Sequence, residues 1–253
     1  MKHIIILILL LTHYTLLFAS DDITICTDLN FWYPFSFEEN NISKGLHIDI
    51  VTYALQSIKL NPVFKPLPWK RCLIAAQHGE FDAVVAASYK PDRAELFYYP
   101  TNAAIDNKSH YRITQVEYII VSFKDDPYEF NGNIKTLPNP IRVPAGYSLI
   151  DDLKKEGLSV ETSKGDINNL KKLARDKSGV VITLEEIVRM LIKKEPHLLN
   201  QLKVHHNPFK SKSYYMIFSK AGKITPNMRH TIWKKIAEIR DDDTIMEKLL
   251  KNY

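Results

Sequence analysis

Residues 81–100, FDAVVAASYKPDRAELFYYP, constrain this chain more than any other segment. The apolar run at 83–87 reads as a buried strand. It stops abruptly at Ser88-Tyr89 and is followed by Pro91 and then Asp92-Arg93. A buried strand that runs straight into a hydroxyl, free backbone amides and a guanidinium builds an anion pocket at its carboxyl end, where open α/β sheets bind ligands. The planar fork of Arg matches a carboxylate. Arg93 is therefore the leading candidate, against the plainer alternative of a surface Arg paired with Asp92 or Glu95.

The flanking sequence supplies the rest of such a sheet. Residues 22–27 alternate apolar and polar, as a strand does. Residues 48–58 carry apolar side chains at helical spacing, with Asp49 in the first turn. Residues 63–67 form a short strand, 69–78 a helix ended by Gly79, and 83–87 the third strand. This β-α-β-α-β order predicts parallel strands with crossover helices. Residues 98–111 break the pattern. A second block follows, with strands at 117–122, 142–144 and 180–183 and helices at 148–156, 166–174 and 185–194. After a connector at 202–208 come a strand at 214–219 and helices at 225–239 and 244–250. These last elements have no core of their own and must return to the first block. The expectation is an α/β protein of two lobes, 21–104 plus 212–253 and 105–211, with two crossings and a cleft between them.

Composition suits such a fold: of 253 residues, 45% are hydrophobic and 25% charged. Residues 1–20, MKHIIILILLLTHYTLLFAS, read as a secretory signal peptide, the alternative being an uncleaved anchor. No Cys follows the apolar run closely enough for a lipid anchor. Removing Lys2 with the leader lowers the net charge only from +5 to +4. No basic run is interleaved with aromatics, so nucleic acid is not an expected partner. The two cysteines, Cys26 and Cys72, are either a disulfide of an exported protein or two buried thiols; a bridge requires the second helix to pack on the first strand. Two Cys cannot make a zinc site alone, and the nine His show no ligand spacing, so no metal or cofactor is expected.

Taken in order, ITICTDLNFWYPFSF, GLHIDI, GEFDAVVAASYKPDR, VPAGYS and the tail DDDTIMEKLLKNY resemble the extracellular solute-binding protein family 3, the periplasmic receptors of polar amino-acid ABC transporters. PWKRCL looks like a divergent branch of it. The resemblance implies a type II periplasmic-binding-protein-like fold, two doubly wound sheets joined by a two-crossing hinge. It also implies a monomeric periplasmic receptor that closes over a small carboxylate-bearing solute, performs no chemistry and delivers its ligand to an inner-membrane permease.

The resemblance also assigns residues. Arg93 matches the Arg that takes the ligand carboxylate, with Ser88 or Tyr89 supplying a hydrogen bond. Trp32 and Trp69 fall at positions that flank the ligand, where two indoles can sandwich a flat group or hold a cation, the alternative being core packing. Arg71 lies at the same helix start. Tyr147 and Ser148 match the second lobe's carboxylate clamp, although Ser148 also suits a plain helix N-cap. Leu184 stands where amino-acid receptors usually place an Asp for the ligand ammonium, which leaves the neighbouring Glu185 as the acidic candidate. Two other functions follow from the same fold. One is a cyclohexadienyl-dehydratase-like enzyme with Glu185 as its acid. The other is a ligand sensor without a transporter.

Overall fold

The computed structural model describes residues 22–253, so the expected leader at 1–20 lies outside the described residues. The first block folds as its order of elements requires. Strands β1 (Asp22–Asp28), β4 (Asn61–Leu67) and β5 (Ala83–Ser88) are parallel, with β1 between the other two. A small hairpin, β2 (Phe37–Glu39) and β3 (Ile42–Lys44), precedes the crossover helix α1 (Leu46–Ser57). The second crossover is α2 (Trp69–Gln77), which leads into β5, the one-and-a-half-turn helix α3 (Pro91–Leu96) and the short strand β6 (Phe97–Tyr98). The second block repeats the plan. In it β8 (Ile141–Pro144) lies between β9 (Val160–Ser163) and β10 (Val180–Thr183), all parallel. Its helices are α4 (Leu149–Lys155), α5 (Asp166–Asp176) and α6 (Glu185–Lys194). The central strands β5, β8 and β10 are almost wholly buried; β5 and β10 accordingly read as apolar runs, while β8 carries the buried Arg142, paired with Asp176 at 2.8 Å.

Two long strands join the blocks. The first half of β7 (Thr114–Phe123) pairs with the last long strand, β12 (Lys210–Ser219), and its second half pairs with β10. The first half of β12 pairs with β7, and its second half runs antiparallel beside β5. The resulting path is β4-β1-β5-β12-β7-β10-β8-β9. Helices α7 (Pro226–Arg240) and α8 (Asp243–Leu250) then return over the first block, where α7 packs on α1.

Three differences from the sequence reading, and one alternative it left open, matter for the site. The strand expected at 214–219 begins at Lys210, because the polar stretch 210–213 is held by its ladder to β7 and not by side-chain burial. The connector expected at 202–208 contains β11 (Leu202–Val204), which also pairs with β7. Helix α3 was hidden by its brevity. Its Pro91 sits in the first turn, where the missing N–H costs nothing. Finally, α2 does pack on β1, with Cys26 and Cys72 joined as a disulfide across a Cα–Cα distance of 5.7 Å.

Candidate functional site

A cavity opens at the carboxyl end of β1 and β5, walled on its far side by the turn that follows β8. Asp28, Trp32, Trp69, Ser88, Arg93 and Tyr147 line it, with Ser36, Ala86, Gly146, Ser148 and Tyr214 completing the wall. Its free volume is about 30 Å³, room for a few waters at most. The two blocks are thus drawn together, and the hydroxyls of Ser88 and Ser148 meet directly across the junction at 2.8 Å.

Arg93 reaches this cavity because α3 folds back over the end of β5. Its Nη1 donates to the Ser88 carbonyl at 2.6 Å, and its guanidinium lies 5.4 Å from the centre of the Trp69 ring. It is 8% exposed. Among the described residues no carboxylate lies within ion-pair distance of it; Asp92 is exposed and faces Lys90 instead. A buried guanidinium without a counter-charge is costly unless something else supplies one. The Tyr99 hydroxyl also donates to the Ser88 carbonyl, at 2.8 Å.

The other wall comes from the loop after β1. Reciprocal backbone bonds between Trp32 and Ser36 close this loop into a tight turn that presents both residues to the cavity. Trp32 stacks among Tyr214, Phe35 and His47 at 4.7–5.3 Å, so it is at once core and cavity wall. The Trp32 Nε1 and Ser36 Oγ atoms are buried without a hydrogen-bond partner among the described residues. Buried polar atoms are rarely left so. Asp28 ends β1 at the same wall. Burial pushes its carboxyl up to about 6, against the hydrogen bonds it takes from Asn30 and from the Trp69 backbone amide.

On the far side, Gly146 turns the chain at φ +84°, and a Cβ there would stand 3.1 Å from Trp69 Cδ1. Only a glycine allows both this backbone and this approach. Ser148 makes no capping bond at the start of α4; its hydroxyl is turned to Ser88 and to Lys212. Lys212 stands on β12 with its side chain 11% exposed. Its Nζ lies 2.8 Å from Ser148 Oγ and 2.6 Å from Asp152 Oδ2. Burial lowers the Lys212 ammonium below its usual range, and Asp152 opposes that shift.

Of the residues singled out from sequence, the structure brings Arg93, Ser88, Trp32, Trp69, Tyr147 and Ser148 to one cavity. Three lie elsewhere. Tyr89 turns away from its neighbour Ser88 and packs edge-on against Tyr99. Arg71 is exposed on the outer face of α2. Glu185 is half exposed on α6 and tied to Arg189 at 2.5 Å, while Leu184 takes the buried place. Sequence reasoning missed Asp28, Ser36, Tyr214 and Lys212. The first two lay in a segment read only as loop. Lys212 lay in a polar run that gave no sign of burial.

Ser122, His205 and Glu129 are aligned at 3.0 and 3.3 Å in the second block. The Phe130 amide donates to His205 Nδ1 at 3.1 Å, and the Ser122 hydroxyl donates to the Phe123 carbonyl at 3.3 Å, so the serine proton is turned away from the ring. That is the reverse of nucleophile activation. Ser122 is also fully buried, so the group braces the core.

The fold has many relatives among solved structures. The arginine-, lysine-, histidine-binding protein ArtJ from Geobacillus stearothermophilus is 14% identical over 91% of this chain and 95% of its own, with a TM-score of 0.69. A histidine kinase sensor domain with similarity to periplasmic binding proteins is 16% identical over 90% and 96%, with a TM-score of 0.72. The ancestral amino acid-binding protein AncCDT-1, a precursor of cyclohexadienyl dehydratase, is 16% identical over 92% and 95%, with a TM-score of 0.66. The architecture is therefore that of the type II periplasmic binding proteins. The family model for bacterial extracellular solute-binding proteins, family 3, matches residues 23–253, and the chain belongs to that family. No curated protein matches the sequence. Among the described residues, no helix is long and apolar enough to cross a membrane.

Proposed function

We propose that the protein is a periplasmic receptor that captures a small carboxylate-bearing solute, an amino acid or a related acid, and hands it to an inner-membrane ABC permease. The observation that carries this reading is Arg93, a guanidinium buried in a cavity with no carboxylate within ion-pair distance among the described residues. A ligand carboxylate supplies the counter-charge, with Ser88 and Ser148 as neighbouring hydroxyls and Trp32, Trp69 and Tyr147 as walls. At the opposite wall, Asp28 and the unpartnered Trp32 Nε1 and Ser36 Oγ suit a polar or cationic group at the other end of the same solute. Tyr89, Arg71 and Glu185 have no part in this set.

The blocks at 21–104 plus 212–253 and at 105–211 act as the two lobes, with β7 and β12 as the hinge. A ligand gripped from both sides is held only when they close, so binding shifts the molecule toward the closed form. The protein works as an exported monomer, its leader at residues 1–20 removed.

Two measurements test this. Arg93→Ala is expected to abolish binding of amino and organic acids in calorimetry while circular dichroism stays unchanged; undiminished affinity overturns the assignment. The enzymatic alternative loses its acid in Glu185, which is engaged with Arg189 outside the cavity. Purified protein is accordingly expected not to turn over prephenate, and measurable turnover would reverse that choice.

A further inference from the structure

We propose that Lys212 sets the selectivity of this cavity through a one-way hydrogen-bond relay, Lys212 to Ser148 to Ser88, which leaves the Ser88 hydroxyl only able to donate to the guest and so favours an anion over its neutral isostere. The proposal rests on the reading of the cavity as a carboxylate site.

The direction of the relay follows from the donor inventory. An ammonium donates and never accepts. Lys212 Nζ at 2.8 Å therefore makes Ser148 Oγ an acceptor. Ser148 keeps one proton of its own. Its hydroxyl partner is Ser88 Oγ at 2.8 Å, and a hydroxyl that has accepted from a cation becomes a stronger donor. Ser88 Oγ thus accepts from Ser148, and its own proton faces the cavity it lines, where the Tyr214 hydroxyl takes it until a guest carboxylate arrives.

Nothing else on Ser88 offers an acceptor there. Its carbonyl is already covered by Arg93 Nη1 at 2.6 Å and by the Tyr99 hydroxyl at 2.8 Å. The Tyr214 hydroxyl on the same wall is engaged with Tyr118 and with Ser88. This corner therefore presents donors: the guanidinium and a hydroxyl with a fixed polarity. A carboxylate accepts from both. A primary amide brings its own N–H bonds against them and leaves one donor facing another, and sites built for one hydrogen-bonding pattern reject such analogues strongly. Asp152 completes the device. It holds the Lys212 ammonium at 2.6 Å and is itself steadied by Lys210 at 2.9 Å, so the cation stays in place without touching the guest. Lys212 is thus a positioning residue. The three members come from three elements, β12, the start of α4 and the end of β5, so the relay exists only when the two blocks meet.

The test uses the mature chain and a fixed panel, the twenty L-amino acids with acetate, benzoate and phenylpyruvate, each beside its primary amide, in calorimetry at pH 7. The wild type is expected to prefer a carboxylate to its amide. Lys212→Gln, which can accept as well as donate, and Lys212→Met, which can do neither, are expected to weaken carboxylate binding by about tenfold or more and to narrow that preference. Lys212→Arg is expected to restore both. The two neutral variants guard against the misfolding of either. Should the preference persist in Lys212→Gln while Arg93→Ala still abolishes binding, the relay is wrong and the carboxylate site stands. Equal losses for acid and amide, unrepaired by Arg, reduce Lys212 to a brace and also overturn the relay. If no panel acid binds the wild type, the site reading and the relay fall together.

Discussion

Asp166 and His47 are both enclosed by the core, and their ionisation pulls stability in opposite directions. Burial pushes the Asp166 carboxyl from its ordinary 3.8 up to about 7. Below pH 3.8 folded and unfolded chains are both protonated there. As pH rises from 3.8 to 7 the unfolded chain releases the proton first, so stability falls, by roughly 4 kcal/mol at most once pH exceeds 7. His47 is pulled by burial from 6.5 down to about 3. Its contribution is complete above pH 6.5 and is lost as pH falls toward 3, because the unfolded chain takes up the proton first. Asp166→Asn is therefore expected to gain stability relative to the wild type between pH 4.5 and pH 8, read from denaturant midpoints at the two values. A constant difference between the two proteins would refute this account.

Single residues also show where sequence reading stops. Arg93 was legible because its position after a buried strand fixes its place at the strand's end. Lys212 was not, because a run of Lys and Ser gives no sign that a neighbouring ladder encloses it. Glu185 was misplaced because sequence adjacency to Leu184 says nothing of helix phase: the apolar residue turns inward and the acid is left with Arg189.

At the level of elements, helices and most central strands were readable to within a residue or two wherever burial dictated the pattern, while β7, expected at 117–122, starts three residues earlier. Residues 180–183 and 185–194 match β10 and α6 without adjustment. The elements missed, β2, β3, α3, β6, β9 and β11, are short and held by backbone ladders or local turns, which leave little periodicity in the side chains. Helix α2 carries a particular burden. Its first residue, Trp69, lines the cavity, and Cys72 one turn later ties it to β1. The bridge closes a loop with a sequence separation of 46. By loop-closure entropy, its removal costs roughly 4 kcal/mol. The Cys26→Ala/Cys72→Ala variant is expected to lose about that much in urea titration, and an unchanged midpoint would mean that packing alone fixes the helix.

Across the whole molecule, the two blocks meet through a set of side-chain contacts. Besides the Ser88–Ser148 bond and the contacts of Lys212 with Ser148 and Asp152, Trp32 meets Tyr147, Arg240 bonds the carbonyls of His110 and Arg112, Lys90 pairs with Asp151, and Lys194 lies 5.4 Å from the Phe31 ring centre. The Lys90–Asp151 pair is partly exposed, so it contributes at most about 1 kcal/mol. Lys90→Ala is expected to move the balance toward the open form by up to about fivefold, seen as a longer distance between spin labels placed on the two blocks. A distance distribution identical to the wild type would show that this pair does not act as a latch.

The path of the chain through β12 has a consequence during biosynthesis. β5 receives its antiparallel neighbour only when residues 214–218 arrive, more than a hundred positions after β5 itself is complete. Until then one flank of the nascent sheet is bare, and unpaired strand edges invite aggregation. A cell that makes this protein must shield that flank, or thread the polypeptide onward before it collapses, for about half of the time that translation takes.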